Sequence, residues 1–291
     1  AFVLNDADSL LSLEGIGTIG VVNATVEANP GKGIQVVESS TFASLDILAT
    51  SYLAIASEKT IDGPIKLQNN ADLKISGSGE YLGDMVLSGG KFRVDNNRNL
   101  IGNLSITADS EIIISPNYTL TLNQTGGFAL GGNILNISGG GNFFSGGVTL
   151  DNSNSKLLLS SVTLDSVSTS SDNLGIDINE DSTISSLSIG HVTPISIAST
   201  KTLSGSATVS AGSLNLTETG ILSSTISMTS GKLDLDESMT ITGELTQAGN
   251  AVIDVASGKT VTFDTGTINT CLLYTSPSPR DLSTSRMPSS A

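Results

Sequence analysis

An apolar-x-apolar triplet returns thirteen times along this chain, at intervals of 19 to 23 residues. The triplets begin at Leu11, Ile34, Leu53, Leu73, Phe92, Ile112, Leu135, Leu157, Ile176, Ile195, Leu214, Leu233 and Ile253. Both outer positions are apolar in all thirteen copies, although only 38% of the chain is hydrophobic. A repeat of this length is one supersecondary unit stacked on copies of itself, because so short a unit cannot bury an apolar face alone.

Alternation inside each triplet puts two side chains on one face and one on the other, which is a short strand. Eight residues after each start the chain is apolar again in twelve of thirteen copies, with Asp165 the exception. A further pair often follows at twelve and fourteen, as in Ile65/Leu67, Met85/Leu87, Leu104/Ile106, Ala207/Val209 and Ile226/Met228. Gly, Ser, Asn, Asp and Thr fill the intervals, the residues that turns use. Three short strands and three turns per coil predict an all-β chain, a single-stranded right-handed parallel β-helix (solenoid) of about 13 coils of 19–23 residues. Coils about 4.8 Å apart make a rod roughly 60 Å long. A leucine-rich repeat would need an Asn column, a hexapeptide helix a period of six, and a propeller its Trp-bearing blades; none is present, and the chain has no Trp. One repeat domain is expected over 1–270.

The last twenty-one residues break the pattern. From Cys271 the chain reads Cys-Leu-Leu-Tyr-Thr-Ser-Pro-Ser-Pro-Arg-Asp281 and then Leu-Ser-Thr-Ser-Arg-Met-Pro-Ser-Ser-Ala291, holding three of the seven prolines. The stretch resembles a translated sequencing adapter. A transposase library end reads codon by codon as Cys271 to Asp281, a sample index covers the next three residues, and a flow-cell sequence yields Ser285 to Ala291. Residues 271–291 are therefore expected to be a non-native, disordered tail. On that reading the only cysteine is not part of the repeat protein, which uses neither disulfides nor thiolate metal sites. The rod is then expected to be a fragment open at both ends, lacking flanking coils and an anchor or translocator domain.

Setting aside Arg280, Arg286 and Asp281 leaves 11 basic and 27 acidic residues, a net of −16. That balance argues against nucleic acid and against an anionic membrane surface, whose phosphates would be repelled. No direct membrane insertion is expected. Nine glycines between Gly126 and Gly147 span the two lengthened coils and read as turns with positive φ. A phosphate-cradling loop would need a Lys-Ser/Thr and a helix behind it, and both are missing.

No catalytic, cofactor-binding or metal-binding residue is assigned. His191, the only histidine, lies in Gly190-His-Val-Thr-Pro194, a turn by composition, with no nucleophile motif beside it. The outward middle position of the triplets runs Asp177, Ser196, Asn215, Asp234, Asp254, with Asp236 and Glu237 alongside. In register, Asp234 and Asp254 lie about 5 Å apart. Like charges so close raise a pKa or recruit Ca²⁺, but the glycine-rich Ca²⁺ nonapeptide pattern is nowhere in the chain, and the stretch reads first as a solvated acidic face. A polysaccharide lyase would need such carboxylates plus an Arg or Lys base, and Arg93 and Arg98 lie seven or more coils away. Hydrolases need paired carboxylates in a groove. These coils are tight, and the aromatics available to stack sugars are Tyr52, Tyr81 and Tyr118 with scattered Phe, several of them inward.

Three copies share wording: Ile55-Ala-Ser-Glu-Lys-Thr-Ile61, Ile197-Ala-Ser-Thr-Lys-Thr-Leu203 and Val255-Ala-Ser-Gly-Lys-Thr-Val261. Regular coils with such turns over 11–270 resemble the passenger regions of bacterial autotransporters and haemagglutinin-type adhesins. The resemblance implies a secreted or surface-displayed stalk or adhesin at the extracellular face of the outer membrane, with a cell-surface or glycan ligand and no cofactor. It carries over no functional residue. The competing expectation is a polysaccharide-acting β-helix, either a pectate-lyase-like enzyme or a phage tail spike.

Overall fold

A computed structural model describes residues 1–264 other than 16 and 69, and the backbone strand of 268–270. The tail over 271–291 lies outside the described residues. Every described element is a β-strand, and there is no helix among the described residues. The strands form two parallel sheets, one of 13 strands and one of 21, wrapped around a common apolar core. The chain is a β-solenoid of about 13 turns.

The 13-stranded sheet holds the thirteen triplets, one strand each, from Leu10–Leu13 to Val252–Val255 in coil order. From Ile34 to Leu235 both outer residues of every triplet are buried. Only the terminal triplets depart: Leu11 and Ile253 are half-buried and Val255 is 40% exposed. A coil with a neighbour on one side covers its inward residues on one side only, so exposure at both ends follows from stacking.

The 21-stranded sheet contains the second and third strands of each coil. They stay separate in several coils, as in Thr60–Asp62 and Ile65–Leu67. Elsewhere they merge into one eight-residue strand, as in Ser40–Ile47, Ser182–Ile189, Thr202–Val209 and Ile221–Met228. The expectation of three separate strands per coil is corrected to this extent. In two of the merged strands the buried residues step by three at the corner, from Phe42 to Leu45 and from Ile184 to Leu187, which shifts the alternation by one and lets the backbone bend around the core. Gly205, at such a corner with φ +131°, could not carry a side chain, since a Cβ would stand 1.7 Å from Ile184 O. Eight of the nine glycines in 126–147 have positive φ, as their reading as turns requires.

Asp165 breaks the eighth-residue column because that coil turns one residue early. Leu164 fills the slot, paired in register with Phe143 and Ile184 and fully buried. Asp165 then points outward, and its carboxylate accepts hydrogen bonds from Ser145 N, Gly146 N and Ser166 N. In this way it caps the glycine turn of the preceding coil.

Triplets do not always stack middle on middle. At three steps the register slips by two residues, giving Tyr52↔Lys74, Glu111↔Asn136 and Pro194↔Asn215. A slip of two preserves parity, so inward side chains stay inward; a slip of one would turn every triplet inside out.

Candidate functional site

The slip at Pro194 divides the acidic column expected from the sequence. Asp177 stacks on Ser196, but Asn215 faces Pro194 rather than Ser196. Asn215, Asp234 and Asp254 then run in register. The neighbouring aspartates are not left to repel each other. Lys232, two residues before Asp234 on the same face, places Nζ 3.0 Å from Asp234 Oδ2 and 2.8 Å from Asp254 Oδ2. Hydrogen bonds to Asp254 and then Asp234 raise the Lys232 pKa above the ordinary lysine value. Glu237 is likewise held by Lys259, at 2.5 Å. A lysine thus stands in the position a divalent cation would take. Among the described residues no three His, Cys, Asp or Glu side chains are grouped to hold a metal.

Lys232 is absent from the sequence expectation, which offers only Arg93 and Arg98 as bases. The Lys-x-Asp spacing, which puts both side chains outward on one strand, was the available signal.

Neither Arg93 nor Arg98 is free. Arg93 Nε lies 2.8 and 2.7 Å from the two carboxylate oxygens of Asp72, one rung of a ladder on the outer face of the triplet sheet. Lys74–Asp95 at 2.5 Å, Lys91–Glu111 at 2.8 Å and Lys156–Asp177 at 2.7 Å are further rungs. Arg98 points into the core and is 2% exposed. It occupies the space beside Gly79, where it donates to Gly79 O and, at 2.8 Å, to Gly77 O. Burial lowers its pKa.

The shared Ala-Ser-x-Lys-Thr wording is a stacking device. In each copy the residue before Lys has positive φ: Glu58, Thr200 and Gly258. The Lys N–H donates to the Ala carbonyl, closing the turn, as Lys59 does to Ala56 at 3.1 Å. The ammonium then reaches back one coil to a glutamate, pairing Lys59 with Glu38, Lys201 with Glu180 and Lys259 with Glu237. The following Thr N–H donates to the residue after that glutamate, Ser39, Asp181 or Ser238.

His191 sits in its expected turn, 46% exposed, with Nδ1 3.8 Å from Asp172 Oδ1. Tyr81 is inward and fully buried, while Tyr52 and Tyr118 are half-buried.

The rod's surface has shallow open grooves. Two of them meet at Gly89 and Asp109. Lys91, Asp109, Glu111, Asn133 and Asn136 line them.

No family model matches the chain, and no curated protein or solved structure matches it.

Proposed function

We propose that the chain is a structural and adhesive stretch of a secreted or surface-displayed bacterial β-helix, without catalytic function. The observation that carries this reading is the clamped Lys232. The acidic face offers two aligned carboxylates, yet its cation is the protein's own ammonium, held on an open flat surface. Four further rungs on the triplet face, Arg93–Asp72, Lys74–Asp95, Lys91–Glu111 and Lys156–Asp177, likewise pair charges between coils. Such a surface stiffens a rod and leaves no reacting groups poised. The resemblance to autotransporter passengers and haemagglutinin-type adhesins agrees with an acidic solenoid rich in Ser and Thr.

One observation favours the polysaccharide-acting alternative: a lysine within 3.0 Å of two aspartates is the residue set a lyase would use. A lyase base must be neutral at the working pH, however, and both carboxylates move Lys232 the wrong way. We therefore assign Lys232 to the ladder.

Antibodies raised against the purified protein should stain intact source cells or their medium, and external protease should remove the cell-bound signal. Staining only after permeabilisation would overturn display. Release of unsaturated uronates or reducing ends from polysaccharides by the purified protein, abolished in Lys232→Met, would replace the non-catalytic reading with the lyase one.

A further inference from the structure

Six Asn-x-Ser/Thr motifs stand in the chain, at Asn23, Asn103, Asn117, Asn123, Asn136 and Asn215. In a chain so rich in Ser and Thr their number alone says nothing, but the fold separates them. Asn23, Asn136 and Asn215 lie inside strands, half-buried, with a paired strand on either side. Asn136 and Asn215 are further engaged, with Glu111 and Ser213. Asn103 is exposed, but its amide donates to Asp84 Oδ1 at 3.2 Å. Asn117 and Asn123 are exposed, lie between strands, and hold no side-chain hydrogen bond.

Both belong to the coil that begins at Ile112, and each falls in an added stretch. Val94 and Arg98 are four residues apart, whereas their register partners Ile114 and Leu120 are six apart. Phe144 and Val148 are four apart, whereas their partners Thr121 and Phe128 are seven apart. The first stretch is a turn closed by Tyr118 N donating to Ser115 O at 3.2 Å, with Pro116 second and Asn117 third at φ 69°. Pro followed by Asn at positive φ is the type II pattern. In both motifs the middle residue is held toward the rod. Tyr118 packs against the core, and Gln124 Oε1 accepts from Leu104 N at 2.9 Å. Asn123 and Thr125 on either side of Gln124 are both exposed, and Thr119 is half-buried. Turn geometry explains an asparagine at 117, but it asks for neither Thr119 nor Asn123, whose φ is not positive.

We propose that Asn117 and Asn123 are acceptors for N-linked glycosylation, so that the rod carries a glycan on either side of the strand Thr119–Leu122. The inference rests on the secreted or surface-displayed part of the reading above, because such acceptors belong to surface turns of exported chains. The donor is a sugar activated at C1 as a diphosphate ester, acted on by a separate transferase. Asn Nδ2 attacks C1, and the C1–N bond forms as the C1–O bond to the diphosphate breaks. The diphosphate ester leaves with the electron pair, and Nδ2 gives one proton to a base of the transferase. A strand amide between paired strands reaches such an active site only through local opening, whereas a turn is presented by the folded chain.

The test is a mass-spectrometric peptide map of the full chain recovered from the surface of source cells. A second map follows incubation of the purified, folded chain with an Asn-x-Ser/Thr-specific N-glycosyltransferase and its nucleotide-sugar donor. Sugar should be found on Asn117 and Asn123 in both maps, and the other four sites of the folded chain should react at least about tenfold less. Asn117→Gly, which suits the positive φ, should remove one glycan, and Asn123→Gln the other, each with wild-type melting. Thr125→Ala leaves Asn123 in place but removes the motif's hydroxyl, and should abolish the glycan at 123. The proposal is overturned if both asparagines are bare on chain recovered from the surface, if the other four sites react as fully, or if Thr125→Ala changes nothing. Chain found only inside the cell would instead overturn display, and the reaction on purified chain would still decide the acceptors.

Discussion

Two buried or half-buried side chains carry pH dependence that can be measured. The Tyr81 hydroxyl accepts from Ile65 N at 3.1 Å and lies 2.9 Å from Gly63 O and 2.5 Å from Asp84 O, inside the corner where Gly63, Gly83 and Gly102 stack. Burial, the largest influence, pushes its pKa up. A raised value means the fold favours the neutral phenol, so this contribution is whole below about pH 10, the ordinary tyrosine value, and is lost as pH rises beyond it. Tyr81→Phe should cost about 1–3 kcal/mol at neutral pH by leaving buried groups unsatisfied, and should remove that part of the alkaline loss. Denaturant melts of both proteins at neutral and alkaline pH check it. Asp95 has the opposite sign. Partial burial works to raise its pKa but is outweighed by hydrogen bonds from Lys74 and Ser115 and the charges of Lys74 and Arg93, so the net direction is down. Its contribution is present above the ordinary carboxylate value, about pH 4, and disappears as pH falls through the lowered one. Asp95→Asn should flatten the acid limb of a stability–pH curve; an unchanged limb would assign acid sensitivity elsewhere.

At the scale of the element, the repeated unit of interest is a pair of turns in adjacent coils. A Glu followed by Ser or Asp in one coil receives the Lys-Thr of Ala-Ser-x-Lys-Thr in the next, 21 or 22 residues later. The Lys59 and Glu38 side chains are a third or more exposed, so each ion pair adds little. A double-mutant cycle on Glu38→Gln and Lys59→Met should give a coupling of about 0.2–1 kcal/mol that shrinks with added salt. The corner is less forgiving than the turn. Gly205→Ala would force a Cβ onto Ile184 O in a backbone conformation that L-residues avoid, and should destabilise the protein by at least about 1–3 kcal/mol in thermal melts.

Across the whole molecule, stability belongs to neighbouring coils in pairs, and the rod behaves as a linear array. Leu159 in a central coil is fully buried, whereas Val255 in the terminal triplet is 40% exposed. Leu159→Ala should cost about 2–5 kcal/mol, and Val255→Ala well under half as much. Amide exchange should be slowest in the middle coils and quicken toward both ends, because an end coil can open by breaking contacts with one neighbour only. Uniform protection along the rod would show that it unfolds as a single unit and not as an array.

The periodic columns by themselves determined the architecture. Thirteen triplets became thirteen strands of one sheet, because inward alternation at a constant period has no low-energy solution other than stacking. Even the exception at Asp165 was marked in the sequence, with Leu164 beside it to take the slot. What only the tertiary structure decided concerns relations between coils. Two-residue slips keep each strand's own pattern intact, so nothing inside a single repeat signals that Asn215 faces Pro194. Arg98 was legible as a charge but not as an inward one, since its burial depends on the Gly77 and Gly79 carbonyls of the preceding coil, which its guanidinium meets. Lys232 between two aspartates exists only once Asp234 and Asp254 are set side by side in adjacent coils. Period is a property of the chain, whereas contact between coils depends on how each turn closes.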